Sequence, residues 1–396
     1  MKAILILNAG SSSLKFALFP MTPRLADLPQ LSGQVEGIGA EPLMHAKDTH
    51  TGERFTENLA VPDGTDQNGQ HRNALEFVFD WIRRHSPGVE IVAAGHRIVH
   101  GGDHYSGPVV LSPDAVSTLE TLIPLAPLHQ PHNLRAIKSL FSLMPEVRQV
   151  GCFDTSFHRT RHPVAARFPL PRALFDEGIK RYGFHGISYE YIASVLLQHC
   201  KKADGRVIVC HLGNGASMTA MVNRKCVATT LGFSTLDGLI MGTRCGPIDP
   251  GLILHIMESK GFGVKEMTNL LYKESGLLGV SGISQDMRTL VASDKPEAKE
   301  AIELFCYRIV RELGSLAAAA GGLDAIVFTG GIGEHNPGLR SNICKQASWQ
   351  GISLNEEANK SGEHRISAAD SAVDVFVIPT NEEWMIARHT QALLGL

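Results

Sequence analysis

An excess of charge of either sign is missing from this sequence: 37 Lys and Arg stand against 40 Asp and Glu, a formal net charge of −3 over 396 residues. There is no basic tail and no basic patch interleaved with aromatics, and aromatics make up only 6% of the chain, which argues against a nucleic-acid or other polyanion binder. Cysteine is sparse and scattered, seven residues with no C-x-x-C pair, so neither a disulfide framework nor a cysteine zinc site is indicated. Long apolar runs are absent too. The opening MKAILILNAG is broken by Asn8 and Gly10 short of signal-peptide length, and no later stretch is long enough to span a bilayer. These absences leave a cytoplasmic protein whose partners are small molecules. The 43% of hydrophobic residues suffices for sizeable cores, and the length fits two domains.

Histidine, by contrast, is abundant. His96/His100 and His158/His162 have i, i+4 spacing, but neither pair carries H-E-x-x-H and Pro163 stops a helix after His162, so both read as structural or substrate-side.

Continuous apolar runs predict buried strands at 3–7, 207–212, 325–329 and 375–378, with further strands at 14–19, 91–94, 149–153 and 218–222. Helical periodicity predicts helices over 73–85, 188–199, 251–260, 264–273, 298–321 and 384–394, the last capped by Thr380 or Asn381. Residues 33–70 read as short strands and exposed loops. Two stretches repeat one plan of strand, Gly/Asn/Ser turn and strand, at 3–19 and 207–222, with Ser217 corresponding to Ser13. This is a faint internal duplication.

The chemistry-bearing residues gather at the turns. The stretch LDGLIMGTRCGPIDPG holds Arg244 among glycines, where a guanidinium fork suits an anion; an exposed loop whose arginine pairs with Asp249 is the competing reading. Arg97 lies between two histidines ahead of Gly101-Gly102, beside an apolar lining that suits a small carboxylate, with a structural ion pair as the alternative. Asp154 follows a strand, where ligands of open sheets collect. His185 sits between glycines before a helix, and the Gly330–Gly333 run after a strand reads as a nucleotide-side loop. The serine-rich turn at 10–13 lacks the P-loop spacing, yet its backbone amides with Lys15 can cradle phosphate oxygens.

In order and spacing, LNAGSSSLKF, HRIVHGG, DTSFH, YGFHGIS, HLGNGAS, GTRCGPIDPG, FTGGIGEH and PTNEE resemble the acetate kinase family over essentially the whole chain. The resemblance implies an α/β protein of two domains with the duplicated ribonuclease H-like fold of actin and sugar kinases, its active site in the interdomain cleft. Residues 1–155 with 386–396 form the substrate-side domain on this reading and 156–385 the nucleotide-binding domain. The implied reaction is reversible, ATP-dependent and Mg²⁺- or Mn²⁺-assisted phosphorylation of acetate by direct in-line transfer, in a homodimer. Asp154, His185 and Arg244 are the implied catalytic group, and Arg97, Val99, Leu128 and Phe184 the implied substrate site. Lys15, His211, Leu212, Gly213, Asn214, Gly215, Asp286, Met287, Arg288, Gly331, Ile332, Gly333, Glu334 and His335 are implied for ATP, and Asn8 and Glu382 for the metal. Two departures concern Thr235, where members often have proline, and Pro247, where another residue is usual; the first bears on acyl preference. Propionate kinase is the neighbouring alternative, and a non-metabolic ATPase of the same fold the alternative from another class.

Overall fold

The computed structural model describes residues 1–60 and 66–396; the part of the expected strand-and-loop stretch at 61–65 lies outside the described residues. The chain divides into two compact units, Met1–Ser156 with Asn381–Leu396, and Phe157–Thr380.

The first unit is built on one sheet. Its strands are β1 (Lys2–Ala9), β2 (Ser13–Pro20), β3 (Leu31–Glu36), β4 (Leu43–Asp48), β5 (Arg54–Asn58), β6 (Glu90–Ile98), β7 (Val109–Val110) and β8 (Arg148–Phe153), in spatial order β5-β4-β3-β2-β1-β6-β8-β7. β1 through β5 form an antiparallel meander, and β1, β6 and β8 run parallel. β1 is central and covered on both faces, which explains why Ala3 to Leu7 form an unbroken apolar run instead of an alternating one. The helix Gln67–His85 buries Trp81 edge-on against Phe16 and Phe55, at centroid distances of 5.8 and 5.4 Å. It starts six residues before the expected 73 because Asp66 caps it, accepting from the Gly69 N–H at 2.7 Å.

The second unit repeats the plan. Its strands β9 (Arg206–Leu212), β10 (Ala216–Val222), β11 (Lys225–Thr229), β12 (Ala325–Thr329) and β13 (Asp374–Val377) lie in the order β11-β10-β9-β12-β13. Three antiparallel strands are followed by two parallel ones, the same sequence of pairings as β3-β2-β1-β6-β8. The helix Gly186–His199 packs Tyr189, Ile192 and Leu196 onto Val207, Val209 and Val327, while the helix Pro296–Ala320 contacts β9, β10 and β11. The duplication read from the sequence is therefore present, but its detail needs correcting. Asn8 pairs with Lys15 one rung before the first turn, and His211 pairs with Ser217 one rung before the second. Ser217 thus holds the place of Lys15, not of Ser13, because the second turn is one residue shorter than the first.

The outer boundary also moves. Residues 381–385 belong with the first unit, whereas the sequence reading left them with the second. The physical reason is that Glu382–Leu394 is one continuous helix, capped by Asn381 through the Trp384 N–H at 3.0 Å, and it packs on β1, β6 and β8. Among the described residues, no helix is long and apolar enough to cross a membrane.

Gly95 in β6 sits directly under this closing helix. A Cβ built there would lie 2.5 Å from Thr390 Oγ1 and 2.6 Å from Ile386 Cγ2. Gly95→Ala should therefore overpack the seam by about 1–3 kcal/mol, lowering the thermal midpoint by several degrees in a calorimetric scan. An unchanged midpoint would mean that the helix shifts freely on the sheet.

Candidate active site

In the first unit the ends of the parallel strands bring Arg97 and Asp154 together. Arg97 is the penultimate residue of β6, and Asp154 follows β8 with its N–H on the Ile98 carbonyl at 3.0 Å. The guanidinium donates from Nε to both Asp154 oxygens at 3.0 and 3.2 Å and from Nη2 at 2.7 Å. Nη1, on the other edge, stands 3.9 Å from Glu382 Oε2. Burial opposes the arginine's charge, but Asp154 and then Glu382 outweigh it and hold the group firmly protonated. The sequence alternatives for Arg97, ion pair or ligand fork, are thus not exclusive: one edge of the fork is committed to Asp154.

Lys15 lies across from Asn8 in the β1–β2 ladder, and Glu382 opens the closing helix, where the helix dipole favours an acid. The neighbouring Glu383 carboxyl is pushed up, first by burial and then by Glu382. Val99 is buried, whereas Leu128 is exposed. Beneath them lie two polar side chains that the sequence reading overlooked. Asn133 donates to Ala9 O at 2.7 Å and accepts from Val99 N at 3.0 Å; Gln130 accepts from His100 N at 3.3 Å and donates to His100 O at 3.0 Å. Both are buried on the helix Gln130–Leu143 and fasten the turn that follows Arg97. His96 and His100 are buried, and burial pulls each imidazole down to about 4, so they serve as neutral core groups.

In the second unit His185 adopts a left-handed conformation (φ 58°) as it enters the helix Gly186–His199. Only a few per cent of non-glycine residues do so. Its Nδ1 lies 2.8 Å from Ser217 Oγ, which is 2.5 Å from the Tyr189 hydroxyl. The ring stacks on His211 at 4.4 Å, and His211 Nδ1 is held through Ser188 Oγ (2.8 Å) to Thr380 Oγ1 (2.8 Å). Gly215 is confined by this arrangement: a Cβ there would come within 3.3 Å of His185 Nε2. Phe184 is fully buried and Leu212 likewise. Gly213 N–H closes the turn on Gly215 O at 3.1 Å, and Asn214 O accepts from Gly242 N at 3.1 Å, tying the turn to the Arg244 segment.

That segment is braced, not loose. Met241 N bonds Arg244 O, Ser275 N bonds Thr243 O, and Leu277 N bonds Met241 O, all within 2.9–3.1 Å. Arg244 Nη1 donates to Thr235 O at 3.0 Å, while Asp249 caps the helix Pro250–Lys260 through Gly251 N at 2.8 Å. Asp249 thus has its own backbone role, and the exposed-loop reading gives way to a guanidinium held against backbone.

The expected glycine loop after β12 is a helical turn, Gly330–His335. Gly330 (φ 77°) lets the chain reverse from the strand, a conformation any Cβ would oppose by meeting Leu212 O at 2.8 Å. Glu334 turns inward: its Oε1 accepts from Gly330 N at 2.7 Å and from Thr380 N at 3.1 Å. Gly331 faces open space, Ile332 is half-buried, Gly333 is buried and His335 is exposed. Asp286 caps the short helix Met287–Val291 and grips the exposed Arg288, while the Met287 side chain is buried, so only its backbone is presented.

A further residue supports this turn and had no sequence signal. Arg340, 2% exposed, donates from Nη1 to Gly333 O and Glu334 O at 2.8 Å each, and from Nε and Nη2 to Asn359 at 2.8 and 2.9 Å. An arginine on a helix of mixed polarity ordinarily reads as solvent-facing; here four hydrogen bonds to neutral acceptors hold it inside.

The model of the acetokinase family matches residues 3–388. The chain belongs to the acetokinase family. An acetate kinase of Rhodopseudomonas palustris (strain TIE-1) is 51% identical over 395 residues, 98% of each chain. The crystal structure of Porphyromonas gingivalis acetate kinase superposes with a TM-score of 0.88 at 36% identity, covering all of both chains. That of a propionate kinase from Francisella tularensis superposes with a TM-score of 0.90 at 37% identity, covering 99% of this chain and 100% of that one. Of the residues the acetokinase resemblance implies, Val99 and Leu128 lie in the first unit with Arg97, Asp154, Lys15, Asn8 and Glu382. Phe184 and the nucleotide-side residues lie in the second with His185 and Arg244.

Arg340→Gln should loosen the Gly330–His335 turn, accelerating exchange of its amides at least about tenfold by hydrogen-exchange mass spectrometry, since a buried charged-donor bond contributes roughly 1.5–3 kcal/mol. Unchanged exchange would show that Glu334 alone fastens the turn.

Proposed function

We propose that the chain catalyses reversible transfer of the γ-phosphoryl group of ATP to acetate, giving acetyl phosphate and ADP. The full-length likeness to proteins named acetate kinase carries this reading, and the Arg97 fork supports it. With one edge fixed by Asp154, the guanidinium offers a preset donor to a small carboxylate. Acetate is already ionised near neutral pH and needs no general base; Asp154 orients Arg97. One acetate oxygen attacks the γ-phosphorus in line, the new O–P bond forming as the bond to the ADP oxygen breaks. Negative charge spreads over the equatorial oxygens, where Arg244 supplies positive charge and His185 a hydrogen bond. Tyr189 donating to Ser217, and Ser217 to His185 Nδ1, leaves the imidazole proton on Nε2, a donor beside Gly215.

In the first unit Lys15 serves the phosphates; in the second the amides of Gly213, Asn214 and Gly215 do, with His211 and Leu212 setting that turn. Gly331, Ile332 and Gly333 offer backbone to the nucleotide, with His335 and the Asp286–Arg288 segment at the rim. Glu334 holds the turn in shape.

Among the described residues no three His, Cys, Asp or Glu side chains form a metal cage. That suits Mg²⁺, which takes one or two protein oxygens and otherwise water and phosphate. Asn8, one rung before the first hairpin turn, and Glu382, opening the closing helix of the same unit, would be the protein donors. When bound, Mg²⁺ would neutralise charge on the phosphates. Propionate is the second acyl substrate in this reading, in view of the likeness to the Francisella propionate kinase and of Thr235.

We place a homodimer contact on the helix Pro250–Lys260. It buries none of its residues within the chain and leaves Leu252 and Leu254 46% and 67% exposed, apolar area that a second copy would cover. None of the seven cysteines is in a disulfide, in keeping with a cytoplasmic enzyme.

Acyl-hydroxamate formation from acetate, propionate and butyrate tests the substrate; butyrate used as well as acetate would overturn the assignment. Arg244→Ala should lower kcat about 10²-fold or more, with ATP KM changing less. Arg97→Lys, which keeps the charge but loses the fork, should chiefly raise the carboxylate KM, by about tenfold. A raised ATP KM instead would reverse the two assignments. Leu254→Glu should yield monomers in sedimentation analysis; an unaltered mass would move the dimer contact elsewhere.

A further inference from the structure

The first sheet has a second face. The helix Gln67–His85 covers Phe16, Val35, Met44 and Phe55, so the alternate residues of β2 to β5 point the other way. On that open face register produces two rows: Lys15, Gln34, His45 and Thr56, and Ala17, Ser32, Lys47 and Arg54. The second row sets Lys47 directly across from Arg54. Like charges directly opposite on neighbouring strands destabilise a sheet, and neither side chain has an ion pair with a described carboxylate. The half-buried Glu57, three residues along β5 from Arg54, is turned to the other face, where it pairs with Arg84 at 2.9 Å.

The face is also walled. Leu28 and Pro29 stand beside it, fixed by the Thr49 hydroxyl on Pro29 O, by Thr49 N on Gln30 O at 2.9 Å and by Asn381 Nδ2 on Asp27 O at 3.2 Å. Together they enclose a cleft of about 580 Å³ whose lining carries Lys15, His45, Lys47 and Arg54, with Glu383 as its one carboxylate. That volume falls in the range of small-molecule sites. Its floor includes the short side chains of Ala17 and Ser32, which leave room above the sheet for a ligand.

We propose that this cleft binds a phosphate monoester, its dianion held between Lys47 and Arg54, with Ser32 and His45 as further donors. A dianion there turns the facing like charges from a cost into a paired site, and an arginine fork beside a lysine suits a phosphate's geometry and charge. The site is separate from the residues assigned to phosphoryl transfer, apart from Lys15 at its edge, and does not depend on that assignment.

Titration calorimetry on the full chain, saturated with a non-hydrolysable ATP analogue, decides the matter with glucose 6-phosphate as probe and glucose as control. Glucose 6-phosphate should bind, glucose should not, and the Lys47→Gln, Arg54→Gln double variant should bind at least tenfold more weakly while keeping its basal kinase activity. Equal binding by the double variant, equal binding of glucose, or loss of binding when the ATP analogue is present would each overturn the proposal, the last by placing the phosphate in the nucleotide site.

Discussion

Everything in this structure depends on one constraint of strand pairing: a hairpin's second strand must return antiparallel, whereas a strand reached through a helix can join parallel. In both units the opening strands form an antiparallel meander, five strands in the first and three in the second; a later strand then joins the other edge of the first strand in parallel and a further one joins beyond it. The turn of the hairpin and the ends of the parallel strands then fall at the same end of the sheet. Asn8, Lys15, Arg97 and Asp154 share that end in the first unit, and His211, Ser217 and the Gly330 turn share it in the second. No residue had to be moved there individually, because the topology carries each to that end.

What the duplicated scaffold does not supply is charge balance, and the two copies solve it differently. In the first, Arg97 is neutralised by a buried aspartate in bidentate contact, so its position is fixed electrostatically. In the second, among the described residues, no arginine–carboxylate pair is seen at the corresponding strand ends. Hydrogen bonds order it instead: chains linking Tyr189, Ser217 and His185, and Thr380, Ser188 and His211, with the Glu334 carboxylate across backbone amides. The first copy is thus suited to hold a fixed anion, and the second to present many weak donors to a larger ligand.

The parts of this arrangement legible in the sequence were those set by local chemistry. β1, β9 and β12 stand out because strands buried on both faces must be apolar throughout, and Asn381 is readable as a cap because its side chain serves an N–H three residues on. Misreadings arose where the deciding partner is remote. The bracing role of Glu334 was not legible, because its carboxylate is shared between Gly330 and Thr380, a residue 46 positions away. The match of Ser217 with Ser13 failed because turn length, not serine content, sets the register. Arg340, Gln130 and Asn133 gave no signal, since a polar residue that services buried backbone has the same letter as one facing water.

The route of the chain adds a consequence for its biosynthesis. The helix Glu382–Leu394 packs on β1, β6 and β8, yet the whole of the second unit is translated before it. While 157–380 emerge from the ribosome, the first unit waits with that side of its sheet uncovered, and Gly95 and Ile6 lack the Ile386 and Thr390 neighbours they will meet. Domains generally fold as units in the order of synthesis. Here the earlier one is finished last, and Glu382 arrives with the same helix that seals it, so the nascent chain acquires its acidic corner only when the remainder is already in place.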